Sequence, residues 1–141
     1  MNTAKAIAVI SSIRGLAHEL IAGELRKHGI SDIAPSHGDV LAALYSKDGM
    51  SMKDISARIG KKKNTVTVLI DKLAALGYVR KETDGLDRRT TRVFLTGKGS
   101  AFESIFREVS EKLIQKTYTD FSESEKEELM GLLSRLEENL R

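Results

Sequence analysis

The sequence predicts a mainly α-helical fold that contains one small β-hairpin, an α+β arrangement. Apolar residues recur at helical spacing through most of the 141 residues, whereas two short β-branched segments flank an Asp-Gly turn in the middle of the chain. The single proline is typical of long uninterrupted helices, and an apolar content of 40% supports a folded core. No repeat of fixed period is visible, which excludes a solenoid.

The first long helix is predicted over residues 4–27. Its apolar residues return on one face at helical spacing, namely at Ile7, Ile10, Ile13, Ala17, Leu20, Ile21 and Leu25. Gly29 follows and is suited to a left-handed helix cap. A second helix is predicted over residues 36–46, and the polar Lys-Asp-Gly turn at residues 47–49 ends it.

Two short amphipathic helices follow and are joined by a turn that contains glycine. The first begins at the N-cap residue Ser51 and ends at Gly60. The second runs over residues 64–77, and its apolar stripe is formed by Val66, Leu69, Ile70, Leu73 and Leu76. Two helices connected in this way form a helix-turn-helix.

The residue pattern then changes from helical to strand spacing. Residues 78–83 and 90–95 are rich in β-branched and aromatic side chains, and the segment between them contains Asp84-Gly85, a strong turn signal. A β-hairpin directly after a helix-turn-helix is a wing. The sequence therefore predicts a winged helix-turn-helix module over residues 36–99.

The C-terminal region, residues 100–141, is predicted to form two more helices, one over residues 100–117 and one that begins after Ser122. The last helix carries a leucine stripe, formed by Leu129, Leu132, Leu133, Leu136 and Leu140. Because such helices are marginal alone in water, their apolar stripes need a partner. We expect this stripe and the N-terminal region, residues 1–35, to form a dimer interface with a second copy of the chain. An intrachain bundle is the alternative.

The charge of the chain is unevenly distributed. The net charge is +3, but residues 36–99 hold 13 basic and 7 acidic residues, a net charge of +6. The flanking regions carry +1 and −4. A basic module of this kind favours a polyanionic partner, although a solvated charged surface would have the same composition.

The polar face of the second short helix is predicted to contact base edges in the major groove of double-stranded DNA through Asn64, Thr65, Thr67 and Val68. Asparagine pairs bidentately with adenine, and valine suits a thymine methyl group. A second group is predicted to neutralise phosphates without reading sequence, and it comprises Arg58, Lys61, Lys62, Lys63 and Lys72. Alternatively, the run of lysines at residues 61–63 only forms a solubilising turn and does not contact DNA.

Two arginines, Arg88 and Arg89, lie at the predicted tip of the wing. An arginine at this position can enter the narrow, strongly negative minor groove beside the recognition helix. Asp87 either orients the Arg89 guanidinium or only forms the turn. Arg92, on the following strand, is expected to face solvent or a phosphate.

The wing segment at residues 87–96, DRRTTRVFLT, resembles the D-x-R-x-x-x-V-x-L-T signature of the MarR family of transcriptional regulators. The segments at residues 55–60 (ISARIG), 64–67 (NTVT) and 77–79 (GYV) resemble the helix-turn-helix of the same family. The resemblance at the level of motifs covers residues 36–99, and its combination of order and spacing is more specific than any single motif.

The resemblance implies a homodimeric repressor that binds a pseudo-palindromic operator, with Arg89 as the minor-groove arginine and Asp87 as its supporting acid. It also implies release from DNA by a small lipophilic or phenolic effector, whose contact residues the sequence does not identify. Val68 departs from the pattern, because many relatives carry arginine there. The operator sequence of those relatives is therefore not assigned to this chain.

No enzymatic, metal or cofactor site is expected. The absence of cysteine excludes disulfides and thiolate metal sites, and the three histidines are scattered at residues 18, 28 and 37. No P-loop, dinucleotide fingerprint, HExxH motif or nucleophile elbow occurs. A winged helix that contacts only proteins is a third hypothesis, but it would not need a basic turn and a basic wing together.

The sequence shows neither a signal-peptide pattern nor a continuous apolar run approaching the roughly 20 residues that span a bilayer. We therefore expect a cytoplasmic protein without membrane contact.

Overall fold

The computed structural model describes residues 2–141, which form seven α-helices and three short β-strands. The elements are α1 (Ala6–Lys27), α2 (Pro35–Ser46), β1 (Met50–Ser51), α3 (Met52–Ile59), α4 (Lys63–Ala75), β2 (Val79–Thr83), β3 (Thr91–Leu95), α5 (Gly97–Ala101), α6 (Glu103–Thr117) and α7 (Glu123–Asn139). A short 3-10 helix, Thr3–Lys5, precedes α1. The predicted α+β fold class is confirmed.

The three strands form one antiparallel sheet in the order β1-β3-β2. Strands β2 and β3 are the predicted hairpin, and their register runs from the pair Val79 and Leu95 to the pair Thr83 and Thr91. Strand β1, which pairs with β3 through Met50 and Val93, was missed in the sequence, because a two-residue strand is too short to show an alternating pattern.

Helices α2, α3 and α4 pack with the sheet around one apolar core. The largest fully buried side chains belong to these elements, and they are Leu41, Leu44, Ile55, Ile70, Leu73, Val40, Val66 and Val93. The apolar stripe predicted for α4 is therefore buried, except that Leu76 is only half-buried. This burial fixes which face of α4 is left for a partner.

The helix predicted over residues 100–117 is interrupted near its beginning. Thr96 caps the short helix α5 by accepting a hydrogen bond from the Gly99 N–H at 3.1 Å. Phe102 lies between α5 and α6 and is buried edge-on against Tyr78, with ring centroids 5.6 Å apart. Side-chain periodicity alone does not show such a break, because the apolar spacing continues across it.

Helices α1 and α7 leave most of their apolar side chains exposed in the single chain. On α7, Leu132, Leu136 and Leu140 are 49%, 37% and 77% exposed. On α1, Ile7, Ile10, Ile13 and Leu16 are all more than a third exposed. The chain therefore does not form an intrachain bundle that covers these stripes.

The apolar character of the N-terminal helix is stronger than we expected from the sequence. The segment Thr3–Lys27 contains an 18-residue window of mean hydropathy 1.3, which makes it long and apolar enough, by length and composition, to cross a membrane. The expectation that no segment approaches this property was wrong, because it considered only continuous apolar runs. Arg14 and Glu19 interrupt the run, and charged residues are unfavourable inside a bilayer.

Candidate nucleic-acid interface

Helix α4 presents the residues predicted to contact bases on the side opposite to its buried stripe. Asn64 and Thr65 are exposed in its first turn, and Val68 is 68% exposed one turn later. Thr67 is half-buried at the edge of this face, and its hydroxyl donates to the Lys63 carbonyl at 2.9 Å. Asn64, Thr65 and Val68 thus form the accessible surface, with Thr67 beside it.

The cations predicted to contact phosphates are more dispersed than their sequence positions suggest. Lys62 and Lys63 are exposed at the start of α4, whereas Lys61 is half-buried. Arg58 lies at the end of α3, and its Nη2 donates to the Ser46 hydroxyl at 3.0 Å, at the end of α2. Lys72 is exposed on α4. The predicted lysines therefore lie beside the base-contacting residues in the first turn of α4 and again at Lys72, one turn after Val68.

The wing loop is built from two turns that are closed by aspartate side chains. Asp84 Oδ1 accepts the Leu86 N–H at 2.9 Å, and Asp87 Oδ1 accepts the Arg89 N–H at 3.0 Å. The Arg89 guanidinium Nε lies 3.7 Å from Asp87 Oδ1, and this side chain is 95% exposed. Asp87 therefore forms the turn, and its carboxylate lies near the Arg89 guanidinium without accepting a hydrogen bond from it.

Arg92 keeps 42% of its side chain exposed to solvent, as expected, but its guanidinium also forms contacts within the protein. Its Nε donates to Asp84 Oδ2 at 2.8 Å, and its Nη1 donates to the Gly49 carbonyl at 3.1 Å. The Leu86 N–H, followed by the Arg92 guanidinium, lowers the pKa of the Asp84 carboxyl. Arg92 thus stabilises the wing from a partly exposed position.

A hollow of about 400 Å³ lies between the start of α3, the start of α4 and the wing. It brings together two predicted residues, Lys63 and Arg89, although they are separated along the chain. Lys53, which was not predicted, adds a third cation to the lining. Its signal in the sequence was its position two residues after the N-cap Ser51, at a helix terminus that favours anions.

A second residue that sequence reasoning missed is Lys81 on β2. Its Nζ lies 2.5 Å from Asp71 Oδ1 and so joins the exposed face of α4 to the wing hairpin. A contact between a helix and a strand has no local signature in the sequence. This ion pair offsets a negative charge on the face that we assign to DNA.

A separate apolar cavity of about 200 Å³ lies between α1, α2 and α6, on the side away from the wing loop. Its lining includes Ile21, Leu25, Ile33, Phe102, Phe106 and Val109. Side chains from these helices enclose a space large enough for one aromatic ring, since an engineered cavity of about 150 Å³ holds benzene.

Comparisons with known proteins agree with these features. A sequence model of the MarR family matches residues 28–90. The HTH-type transcriptional regulator TtmR of Methylorubrum extorquens is 40% identical over 60 residues, which are 43% of this chain and 31% of TtmR. The uncharacterized HTH-type transcriptional regulator YkoM of Bacillus subtilis is 27% identical over 110 residues, which are 78% of this chain and 70% of YkoM. The aligned segment thus spans about a third of TtmR but most of YkoM.

Solved structures share the fold over nearly the whole chain. A MarR transcriptional regulator from Methanosarcina mazei is 27% identical and superposes with a TM-score of 0.77 over 94% of this chain and 93% of that one. The Staphylococcus aureus MepR–DNA complex gives a TM-score of 0.85 at 20% identity, over 99% and 100% of the two chains. The PcaV regulator of Streptomyces coelicolor, solved with its natural ligand, gives 0.83 at 18% identity, over 100% and 98%.

These structures share the fold of this chain, a winged helix-turn-helix with helices on either side of it, over nearly its whole length. The chain resembles the MarR family of winged helix-turn-helix transcriptional regulators, in sequence over residues 28–90 and in fold over nearly its whole length.

Proposed function

We propose that the chain is a repressor that binds a pseudo-palindromic operator as a homodimer, with α4 in the major groove and the wing in the adjacent minor groove. The observation that carries this proposal is the shared hollow that Lys63 of α4 and Arg89 of the wing both line. Both cations line one hollow beside the start of α4, the helix whose exposed face carries Asn64 and Val68. Phosphate contacts beside a base-reading helix would fix its register on the duplex.

The exposed apolar side chains of α1 and α7 support the homodimer. A single chain that exposes Ile13 and Leu16 on one helix and Leu132 and Leu140 on another leaves apolar surface in water that a second copy can cover. A two-fold dimer uses the same surface on both subunits and presents two identical recognition helices to a pseudo-palindrome. We assign the leucines predicted for dimerisation, Leu129, Leu132, Leu133, Leu136 and Leu140, to this interface.

The same interface accounts for the apolar character of α1 without a membrane. We propose that the protein acts in the cytoplasm and that α1 packs against a second subunit. Arg14 and Glu19 would then lie at the solvated edge of the helix. The protein needs no cofactor for this function, since duplex recognition uses only side chains and backbone dipoles.

We propose that an effector binds in the apolar cavity between α1, α2 and α6 and releases the operator. The cavity joins α1, which is assigned to the dimer interface, with α2, which packs on the DNA-binding helices α3 and α4. A ligand that favours one arrangement of these helices would change the spacing of the two recognition helices. PcaV, which has the same fold, was solved in complex with its natural ligand.

Two measurements test the proposed function together. Genomic fragments retained by the purified protein would identify the operator, and light scattering would give the mass of the free and DNA-bound protein. We expect a dimer in both states and an inverted repeat in the retained fragments. A monomer on DNA, or fragments without a repeat, would contradict the proposal.

A further inference from the structure

The cavity between α1, α2 and α6 has an unusual charge balance. Among the residues that line it, Asp39 is the only charged one and Ser110 carries the only hydroxyl, while no lysine, arginine or histidine contributes. The other lining side chains are apolar and include the rings of Phe102 and Phe106. We propose that this cavity selects a small cationic aromatic ligand, such as a protonated arylalkylamine, and disfavours an aromatic carboxylate. The inference deepens the effector site of the proposed function and rests on it.

A carboxylate in this cavity would find no cation and few donors. The start of α2 lines the cavity, and helix N-termini usually attract anions. Here, however, Pro35 has no N–H, and the N–H groups of His37 and Gly38 both donate to the Ala34 carbonyl, at 3.0 and 3.3 Å. The Ala34 N–H donates to His37 Nδ1 at 2.9 Å. A buried anion would therefore lose its hydration with few replacement hydrogen bonds.

A cation would find two kinds of partner in the same cavity. The Asp39 carboxylate lies at the exposed edge of the cavity and forms no salt bridge with any other residue that the structure describes. It is therefore free to pair with an ammonium or amidinium group. The faces of aromatic rings also attract cations, and Phe102 and Phe106 are both in the lining. The cavity volume of about 200 Å³ limits the ligand to about one ring with a short arm.

The position of Asp39 connects this site to the DNA-binding module. Asp39 and Ala42 also line a neighbouring hollow, whose other wall is formed by Arg58 and Ile59 of α3. Arg58 is one of the cations that we assign to phosphate contact. A ligand that neutralises Asp39 would change the electrostatic potential beside Arg58. The proposed effector would therefore act next to a cation that we assign to phosphate contact.

Three probes of matched shape and different charge test the proposal: 4-isopropylbenzylamine, 4-isopropylbenzyl alcohol and 4-isopropylbenzoate. Binding to the full-length protein is measured by titration calorimetry at pH 7. We expect the amine to bind about five- to tenfold more tightly than the alcohol, since a charge-assisted contact at a partly exposed site contributes on the order of 1 kcal/mol. The benzoate should bind most weakly. Equal affinities, tighter binding of the benzoate or no binding of any probe would overturn the proposal.

Two variants show whether Asp39 is responsible for the preference. Asp39→Asn should bring the affinity for the amine to that for the alcohol, whereas Ser110→Ala should leave the preference unchanged. Because Asp39 is exposed, its replacement should not change the melting temperature, and a circular dichroism melt checks this. Duplex binding is measured on the same preparations. If the protein does not bind duplex DNA but still prefers the amine, the proposed function as a DNA-binding regulator is wrong. If it binds duplex DNA but shows no preference for the amine, only the proposed ligand class is wrong.

Discussion

Arg92 of β3 holds Asp84 at the base of the wing loop, with its Nε 2.8 Å from Asp84 Oδ2. The same guanidinium donates from Nη1 to the Gly49 carbonyl, so the wing is joined to the turn before β1. Asp84 uses its other oxygen to accept the Leu86 N–H, and Asp87 repeats this turn at Arg89. The loop that carries Arg89 is therefore ordered before DNA binds, which lowers the entropy lost on binding.

Replacing Arg89 by alanine should weaken operator binding about tenfold or more, because a good arginine contact in a groove contributes about 1–3 kcal/mol. Fluorescence anisotropy with a labelled operator duplex measures the affinity. Arg107→Ala removes the same charge from α6, on an exposed position outside the wing and α4, and should leave the affinity nearly unchanged. If both variants bind like the original protein, the wing does not contact DNA in the way proposed.

Gly99 is required by a close approach of two backbone segments. A Cβ at this position would lie 2.1 Å from the Tyr78 carbonyl oxygen, whereas a Cβ at Gly97 would meet nothing within 4 Å. We therefore expect Gly99→Ala to lower the free energy of unfolding by about 3 kcal/mol, at the upper end of the usual overpacking range. Gly97→Ala, two residues earlier on the same short helix, should be neutral or slightly stabilising. Urea unfolding of both variants checks this, and equal stabilities would contradict the described packing.

Local patterns in the sequence were sufficient to predict most of the fold. The stripe from Val66 to Leu73 identified α4, because burial on one face of a helix leaves a clear period. The break at Phe102 and the two-residue strand β1 were not predictable in this way, because both depend on contacts with distant residues. Phe102 packs on Tyr78, and Met50 pairs with Val93.

The residues of the candidate site show the same difference between local sequence patterns and contacts with distant residues. Asn64, Val68 and Arg89 were recognisable because exposed polar, basic and β-branched side chains occur at positions with a defined role in a winged helix. The role of Arg92 was not recognisable, since its partners Asp84 and Gly49 become neighbours only when β1, β3 and the wing loop assemble. Lys81 was missed for the same reason, since its partner Asp71 lies on α4. Lys53, by contrast, had a local signal at the start of α3.

An aspartate in the middle of the α7 leucine stripe should dissociate the dimer. In Leu133→Asp, each subunit would bury an unpaired carboxylate in an apolar interface, which is strongly unfavourable. Ser134→Asp introduces the same residue at an exposed position about 100° around the helix, outside the leucine stripe, and serves as the matched control. Light scattering should give the monomer mass for the first variant and the dimer mass for the second. A dimer mass for Leu133→Asp would place the interface elsewhere.

The stability of the fold should depend on the protonation of His37. Burial, followed by the nearby Lys72 charge, lowers the pKa of His37 below its usual value of 6.5, and its Nδ1 accepts the Ala34 N–H at 2.9 Å. The unfolded chain therefore binds this proton at a higher pH than the folded one does. The stabilisation is present above pH 6.5 and is lost as the pH falls toward the lowered pKa.

His37→Gln keeps a hydrogen-bond acceptor at this position but does not titrate. We expect the unfolding free energy of the original protein to decrease more steeply between pH 7.5 and about 5 than that of the variant, at the same protein concentration. Urea unfolding at several pH values measures both slopes. Parallel slopes would show that His37 does not titrate differently in the two states.

The salt dependence of duplex binding tests whether the exposed cations of α4 and the wing contact DNA. The logarithm of the association constant, measured by anisotropy, should fall linearly with the logarithm of salt concentration. Lys62→Ala should reduce that slope by about 1, because one phosphate contact is lost. Lys116→Ala on α6 should leave it unchanged. Absence of duplex binding even at low salt, or a slope that neither variant alters, would contradict DNA contact through these cations.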